Sequence, residues 1–203
     1  MTEQPQTYQH FVPQFILRNF AHPYSPPDDD PNTPKRRKKP RYQKGKPSPG
    51  EAVVHAVDLT YDPPRIVETP TKRVLGLIDM YRDTSQPASN QQHIEAMFSK
   101  LESRASTALR RITNAFDTGL DAVWLSRGDV NVLRKFLFLL KYRGSAFHRR
   151  FYHVDVADYS EPDSPLLRDY MGERGIKRPI DVWLGNLKAI MELEMDPNGD
   201  WVF

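Results

Sequence analysis

Hydrophobic residues recur at three- and four-residue steps between Ser89 and Gly119, which is the period of one face of an α-helix. The apolar positions that share this spacing are Ile94, Met97, Phe98, Leu101, Ala105, Leu109, Ile112 and Phe116. The pattern predicts an amphipathic helix over 90–118. Ser89 and Gln92 have the spacing of a capping box at its start, and Gly119 is expected to end it.

Three further helices follow in the second half of the chain. "SRGD" at 126–129 is an N-terminal signature, and the helix it opens is expected to span 127–150. Apolar residues nearly surround its "FLFLL" stretch, so this helix, Leu137 included, is predicted to be central and buried. "DSPLLRDYMGERG" predicts a short helix, and 179–193 predicts a third long one beginning at Pro179.

Between residues 51 and 69 the period changes to that of β-strands. "EAVVHAVDLT" and "RIVET" are rich in β-branched residues and are separated by "YDPP", which predicts a hairpin with the prolines in the connection. Residues 73–81 fit either a strand or a short helix. The fold class predicted from these elements is α+β and mainly helical, with a small antiparallel sheet packed on three long helices.

The chain before residue 51 contains two contrasting segments. Residues 1–21 hold the apolar motif "HFVPQFILRNF", in which Pro13 is suited to the start of a short anchor helix. Residues 22–50 contain eight prolines and separate blocks of acidic and basic residues, which predicts a disordered or extended insertion. The remaining residues, 51–203, are predicted to form one domain with 1–21.

Composition excludes several classes of protein. The chain has no cysteine, so disulfides, thiolate nucleophiles, zinc fingers and iron–sulfur clusters are excluded. The N-terminus lacks the pattern of a signal peptide, and no apolar run approaches the length of a membrane span. We therefore expect a soluble intracellular protein, cytoplasmic or nuclear, without membrane contact. No motif indicates a metal site, a cofactor or a set of catalytic residues.

Positive charge is concentrated in one segment. The formal net charge is +3, but residues 35–46 alone contain eight basic residues and no acid, which leaves the rest of the chain at −5. These eight residues are Lys35, Arg36, Arg37, Lys38, Lys39, Arg41, Lys44 and Lys46. Such a run is typical of non-specific nucleic-acid contact or of a nuclear import signal, and also of a solvated linker.

The opening motif resembles one known family. His10, Pro13, Leu17, Arg18 and Phe20 match a motif of the form His-aromatic-x-Pro-x-aromatic-x-Leu-Arg-x-Phe, and a valine-rich strand ending in Asp follows. On these residues the chain is similar to the domain of unknown function 4238 family, which also matches at Glu95 and Glu102. Family members usually run longer, so the resemblance implies a C-terminally truncated member. It implies no activity.

His10, Gln14 and Arg18 lie on one stripe of the predicted anchor helix, and two hypotheses arise from them. In the first, Arg18 is buried and forms an ion pair with Glu95 or Glu102, so that the residues make a structural junction. In the second, the helix N-terminus together with His10 and Arg18 binds an anion. We favour the structural junction, because ion pairs of this kind are common.

Two classes of function remain open. The first is a non-catalytic binding module that contacts nucleic acid or an import receptor through residues 35–46. The alternative is a hydrolase or nuclease whose site combines His10 and Arg18 with a C-terminal half that this chain lacks. The sequence assigns no catalytic residue, and it gives no oligomeric state.

Overall fold

The computed structural model describes residues 6–26, 46–159 and 163–193. They fall into two compact units. The sheet unit is Val12–Gly76, and the helical unit combines Met1–Phe11 with Leu77–Phe203. Small antiparallel sheets and a larger number of helices confirm the predicted mainly helical α+β class.

The described residues of the sheet unit form one short α-helix and a three-stranded antiparallel sheet. Its elements are α1 (Gln14–Leu17), β2 (His22–Pro23), β3 (Ala52–Asp58) and β4 (Arg65–Pro70). The strand order is β2-β3-β4, and β3 pairs with β4 over six residue pairs from Val53↔Pro70 to Asp58↔Arg65. The predicted hairpin is confirmed, and Pro63 and Pro64 lie in its connection as expected.

Strand β2 lies inside the segment that was predicted to be a disordered or extended insertion. His22 pairs with Val53 and Pro23 with Ala52, so the chain is already part of the sheet at residues 22 and 23. The prediction of an insertion is wrong for these two residues, because the β-branched positions of β3 supply a partner for a strand too short to show a period of its own. Residues 27–45 of the predicted insertion lie outside the described residues.

The helical unit contains two short strands and five helices among its described residues. They are β1 (Tyr8–His10), β5 (Gly76–Ile78, whose first residue ends the sheet unit), α2 (His93–Asp117), α3 (Arg127–Tyr142), α4 (Ser145–His148), α5 (Asp163–Arg174) and α6 (Pro179–Glu192). Strands β1 and β5 pair with each other. The strand at 76–78 settles the ambiguity of residues 73–81.

The start of α2 differs from the prediction. Residues 88–90 form a 3-10 turn, and the helix begins at His93 after Gln92, without a side-chain cap. The Gln92 side-chain oxygen accepts a hydrogen bond at 2.7 Å from Nε2 of the buried Gln9, so it does not reach back to Ser89. The predicted end is confirmed, since Gly119 adopts φ +75° directly after the helix.

Helix α3 buries one face only, which corrects the prediction that it is surrounded by core. Its start is as predicted, because Ser126 Oγ accepts a 3.1 Å hydrogen bond from the Asp129 amide. Leu137 and Phe138 are 62% and 51% exposed, whereas Phe136 and Leu139 are buried. The helix packs against α2 and α6 along a single stripe, and it ends at Tyr142 instead of 150.

Aromatic side chains form the centre of the helical unit. Trp183 on α6 is fully buried, and its indole Nε1 donates to the carbonyl of Tyr142 at 3.2 Å. The Tyr81 ring, also fully buried, lies 5.6 Å from the ring of Trp183 and 4.9 Å from that of Phe98. These aromatic side chains pack α2, α3 and α6 together. Arg143, at the end of α3, lies beside the Tyr81 and Phe98 rings.

The last two predicted helices are confirmed. Helix α5 ends before Gly175, which adopts φ +64°, and α6 begins with Pro179 in its first turn. No helix among the described residues is both long and apolar enough to cross a membrane. The strand predicted to begin at the C-terminus, in "DPNGDWVF", lies outside the described residues.

Candidate functional site

The basic segment, residues 35–46, is attached at both ends to the sheet unit. Seven of its eight cations lie outside the described residues, and the eighth, Lys46, is exposed. The attachment continues the β2–β3 ladder. The Tyr24 amide donates to the Glu51 carbonyl at 2.9 Å, and the Gly50 amide donates to the Tyr24 carbonyl at 2.9 Å. These three residues form a neck that closes the connection between β2 and β3.

The sheet unit is the cationic part of the chain. It has 12 Lys or Arg against 7 Asp or Glu, a net charge of +5, whereas the remaining residues sum to −2. The acid at the neck is neutralised locally, since Glu51 Oε1 lies 2.6 Å from Lys72 Nζ. The hydrogen bond from Lys72 is the main cause that lowers the pKa of Glu51 below its ordinary value. Glu51 therefore stays charged and paired with Lys72.

Arg18 is exposed, so the prediction that it is buried in a structural junction is wrong. Its guanidinium reaches the side-chain oxygen of Gln14, one helical turn earlier, at 3.5 Å. Leu17 is the buried residue of α1, and the exposed residues Arg18, Asn19 and Phe20 follow it in a 3-10 turn. Helix α1 has only four residues, and Leu17 is the one that it buries. So short a helix has no second inward-facing position for the Arg18 side chain.

Arg143, at the end of α3, takes the role that was predicted for Arg18. It is 3% exposed, and its Nη1 donates to Oε1 of Glu102 at 2.5 Å. Its Nη2 donates to the backbone carbonyl of His10. The guanidinium carbon also lies 4.3 Å from the centre of the Phe98 ring. The structure thus brings together Glu102 and His10, two residues of the predicted junction.

Glu95 lies two helical turns before Glu102 on α2, in the same cluster. Its Oε2 is buried without a hydrogen-bond partner among the described residues. Burial raises the pKa of Glu95 above its ordinary value. Arg143 opposes that rise, and the nearby Glu102 adds to it. The Tyr81 hydroxyl contacts the His10 carbonyl at 3.4 Å, and burial raises the pKa of Tyr81 as well. The cluster is closed to solvent at Arg143, which favours a structural role.

The sequence did contain a signal for Arg143. Val132, Phe136, Leu139 and Arg143 follow one another at steps of four, three and four, and all four are buried. Arg143 therefore continues the buried stripe of α3. Arg149 and Arg150 follow close behind, and cations are favoured near a helix C-terminus, so the sequence alone does not identify Arg143 as buried.

Three polar residues that the sequence did not single out as a site meet on the three-stranded sheet. The Nε2 atom of His22 lies 2.7 Å from Oε1 of Glu68, and the His22 and His55 rings are stacked with centroids 4.6 Å apart. Their grouping depends on the pairing of β2 with β3 across residues 24–51. A hairpin prediction alone places His55 near Glu68, but it does not place His22.

Comparisons with known proteins agree with the resemblance in the opening motif. No curated protein and no solved structure is significantly similar to this chain. One family model, described as "Protein of unknown function (DUF4238)", matches residues 8–202, which is nearly the whole chain. The match includes both units, the basic segment, the Arg143 cluster and the three residues on the sheet. The chain therefore belongs to the DUF4238 family.

Proposed function

We propose that this protein is a non-catalytic binding module that contacts nucleic acid through the basic segment, without reading sequence. The proposal rests on one observation. Eight cations with no intervening acid occupy residues 35–46, in a connection whose two ends are held by the β2–β3 ladder. Lysine and arginine neutralise phosphates on any sequence, so the contact is electrostatic.

Two further features support this proposal. The acidic residue of the neck, Glu51, is paired with Lys72, so its charge does not offset that of the basic segment. Tyr42 is the aromatic residue within the run and could stack on an unpaired base. Single-stranded nucleic acid is therefore expected to bind at least as well as duplex at equal length and equal salt concentration.

The test is fluorescence anisotropy with a labelled duplex over a series of salt concentrations. Each phosphate contact contributes about −0.9 to the slope of log K against log salt, so eight contacts set a limit of about −7. Replacing four basic residues of the segment by glutamine should reduce the slope by about 3.6 if all of them touch phosphate. These four are Arg36, Arg37, Lys38 and Lys39.

The matched control removes the same charge elsewhere. It replaces by glutamine four arginines that are exposed on α2 and α3 of the helical unit: Arg104, Arg110, Arg127 and Arg134. This variant should keep the slope of the wild type. Equal losses in both variants would contradict the placement on the basic segment, and so would a strong preference for one duplex sequence.

The other functions suggested by the sequence have less support. A nuclear import signal would carry a fused fluorescent protein into the nucleus, and the four-residue glutamine variant of the segment should prevent this; the anisotropy titration tests nucleic-acid contact separately. A hydrolase or nuclease built on His10 and Arg18 needs both side chains in one site. The two residues belong to different units, and no contact described here favours such a site.

A further inference from the structure

We infer that His22, His55 and Glu68 form a binding site for a divalent transition-metal ion of the zinc type, on one face of the three-stranded sheet. Two imidazoles and one carboxylate would supply three ligands. This inference does not depend on the proposed contact with nucleic acid, because it rests on residues of β2, β3 and β4 alone.

Strand register brings the three side chains to the same face. His55 on β3 stands directly opposite Glu68 on β4. His22 on β2 stands opposite Val53, which lies two residues before His55 on the same strand. Directly opposed residues share a face of the sheet, and so do residues two apart along a strand. His22 is therefore the diagonal neighbour of His55.

The distances suit a shared ion. One ligand atom from each of the three residues can be chosen so that all lie within 4.8 Å of one another. At a tetrahedral zinc ion with bonds of about 2.0–2.2 Å, ligand atoms lie about 3.4 Å apart. The His22–Glu68 pair, at 2.7 Å, would have to open slightly, and the widest pair would have to close by up to about 1.4 Å. Side-chain rotation alone supplies movements of that size.

The ligand types select the class of ion. Imidazole nitrogen with a single carboxylate is typical of zinc and of related divalent ions, whereas calcium and magnesium prefer oxygen ligands. Three protein ligands leave a fourth position for water or for a bound molecule. The His22 and Glu68 side chains are 35% and 34% exposed, so an ion can reach them from solvent.

The experiment is a zinc titration of the tag-free, chelator-treated protein, measured by isothermal titration calorimetry. Cobalt(II) serves as a second probe, because its visible absorption reports four-coordinate geometry. One ion per chain is expected, together with a zinc-dependent rise in the melting temperature. His55→Ala and Glu68→Gln should each weaken binding by roughly tenfold or more, because each removes one of three ligands.

His153→Ala is the matched control, because it removes a histidine of the helical unit. It should leave the zinc affinity and the cobalt spectrum unchanged. His55 is exposed, so His55→Ala should fold as the wild type does, and circular dichroism verifies this. Absence of 1:1 binding by the wild type would overturn the inference and leave His22–Glu68 as an ordinary hydrogen bond. Equal affinity in His55→Ala and the wild type would overturn it as well.

Discussion

Arg143→Met is the substitution that tests the construction of the helical unit most directly. It keeps an unbranched side chain at the end of α3 and removes the guanidinium. The change leaves Glu102 without its cation and the His10 carbonyl without the donor from Arg143. It also removes the charge that opposes the raised pKa of Glu95.

The magnitude follows from the burial of Arg143. Removing one partner of a fully buried ion pair costs about 3–5 kcal/mol, because the remaining charge is left desolvated. The remaining carboxylate, Glu102, is 24% exposed, so we expect a cost at the lower end of this range, about 3 kcal/mol. A chain of 150–250 residues loses about 2–4 °C of melting temperature per kcal/mol, so the fall should be about 6–12 °C. Loss of the contact with the Phe98 ring is included in this figure, because effects within one cluster are not additive.

The assay is urea unfolding followed by circular dichroism, with Arg134→Met as control. Arg134 is an exposed arginine of the same helix, and its substitution should change the free energy of unfolding by less than about 0.5 kcal/mol. Adding Glu102→Gln to Arg143→Met should recover part of the loss, because it removes the uncompensated charge. A cost below about 1 kcal/mol for Arg143→Met, or simple additivity in the double variant, would refute the reasoning.

Two further predictions concern Glu95 and helix α3. Because burial raises the pKa of Glu95, its contribution to stability is full at low pH and is lost as pH rises through the raised pKa. Glu95→Gln should therefore be more stable than the wild type at pH 7 and should flatten the fall in urea midpoint above pH 4.5. An unchanged pH dependence would contradict this. Leu139→Ala should cost about 2–5 kcal/mol and Leu137→Ala less than about 1, measured in the same urea titrations. Equal costs would argue against the exposed position of Leu137.

Local patterns were sufficient for most helices and for the hairpin. The spacing of apolar residues predicted α2, which buries a stripe that its own sequence displays, and the starting proline predicted the beginning of α6. The "FLFLL" stretch of α3 has more apolar residues than one buried face can hold. The prediction from its composition therefore counted exposed residues, such as Leu137, as buried. The exposure of Leu137 depends on which neighbours pack against the helix, and the sequence of the helix does not contain that information.

The candidate sites depend on contacts between distant residues and were harder to predict. The sequence indicated that an arginine would pair with an α2 glutamate, but 41 residues separate Arg143 from Glu102. The spacing of buried residues along α3 points to Arg143, but no periodicity shows that its partner is Glu102. The position of His22 on the sheet could not be predicted from sequence periodicity either. Strand β2 has two residues, and only its pairing with β3 defines it. Burial and strand pairing across long gaps are set by the whole fold, so the sequence pattern could not supply them.

The neck has a consequence for how this part of the chain can vary. The entropy of closing a loop grows only with the logarithm of its length, and doubling the length costs about 0.6 kcal/mol. The hydrogen bonds between Tyr24 and the Gly50–Glu51 pair fix the two ends of the connection whatever its length. The connection between β2 and β3 can therefore change in length and charge at little cost in stability. Changes in this segment are expected to leave the pairing of β2, β3 and β4 intact.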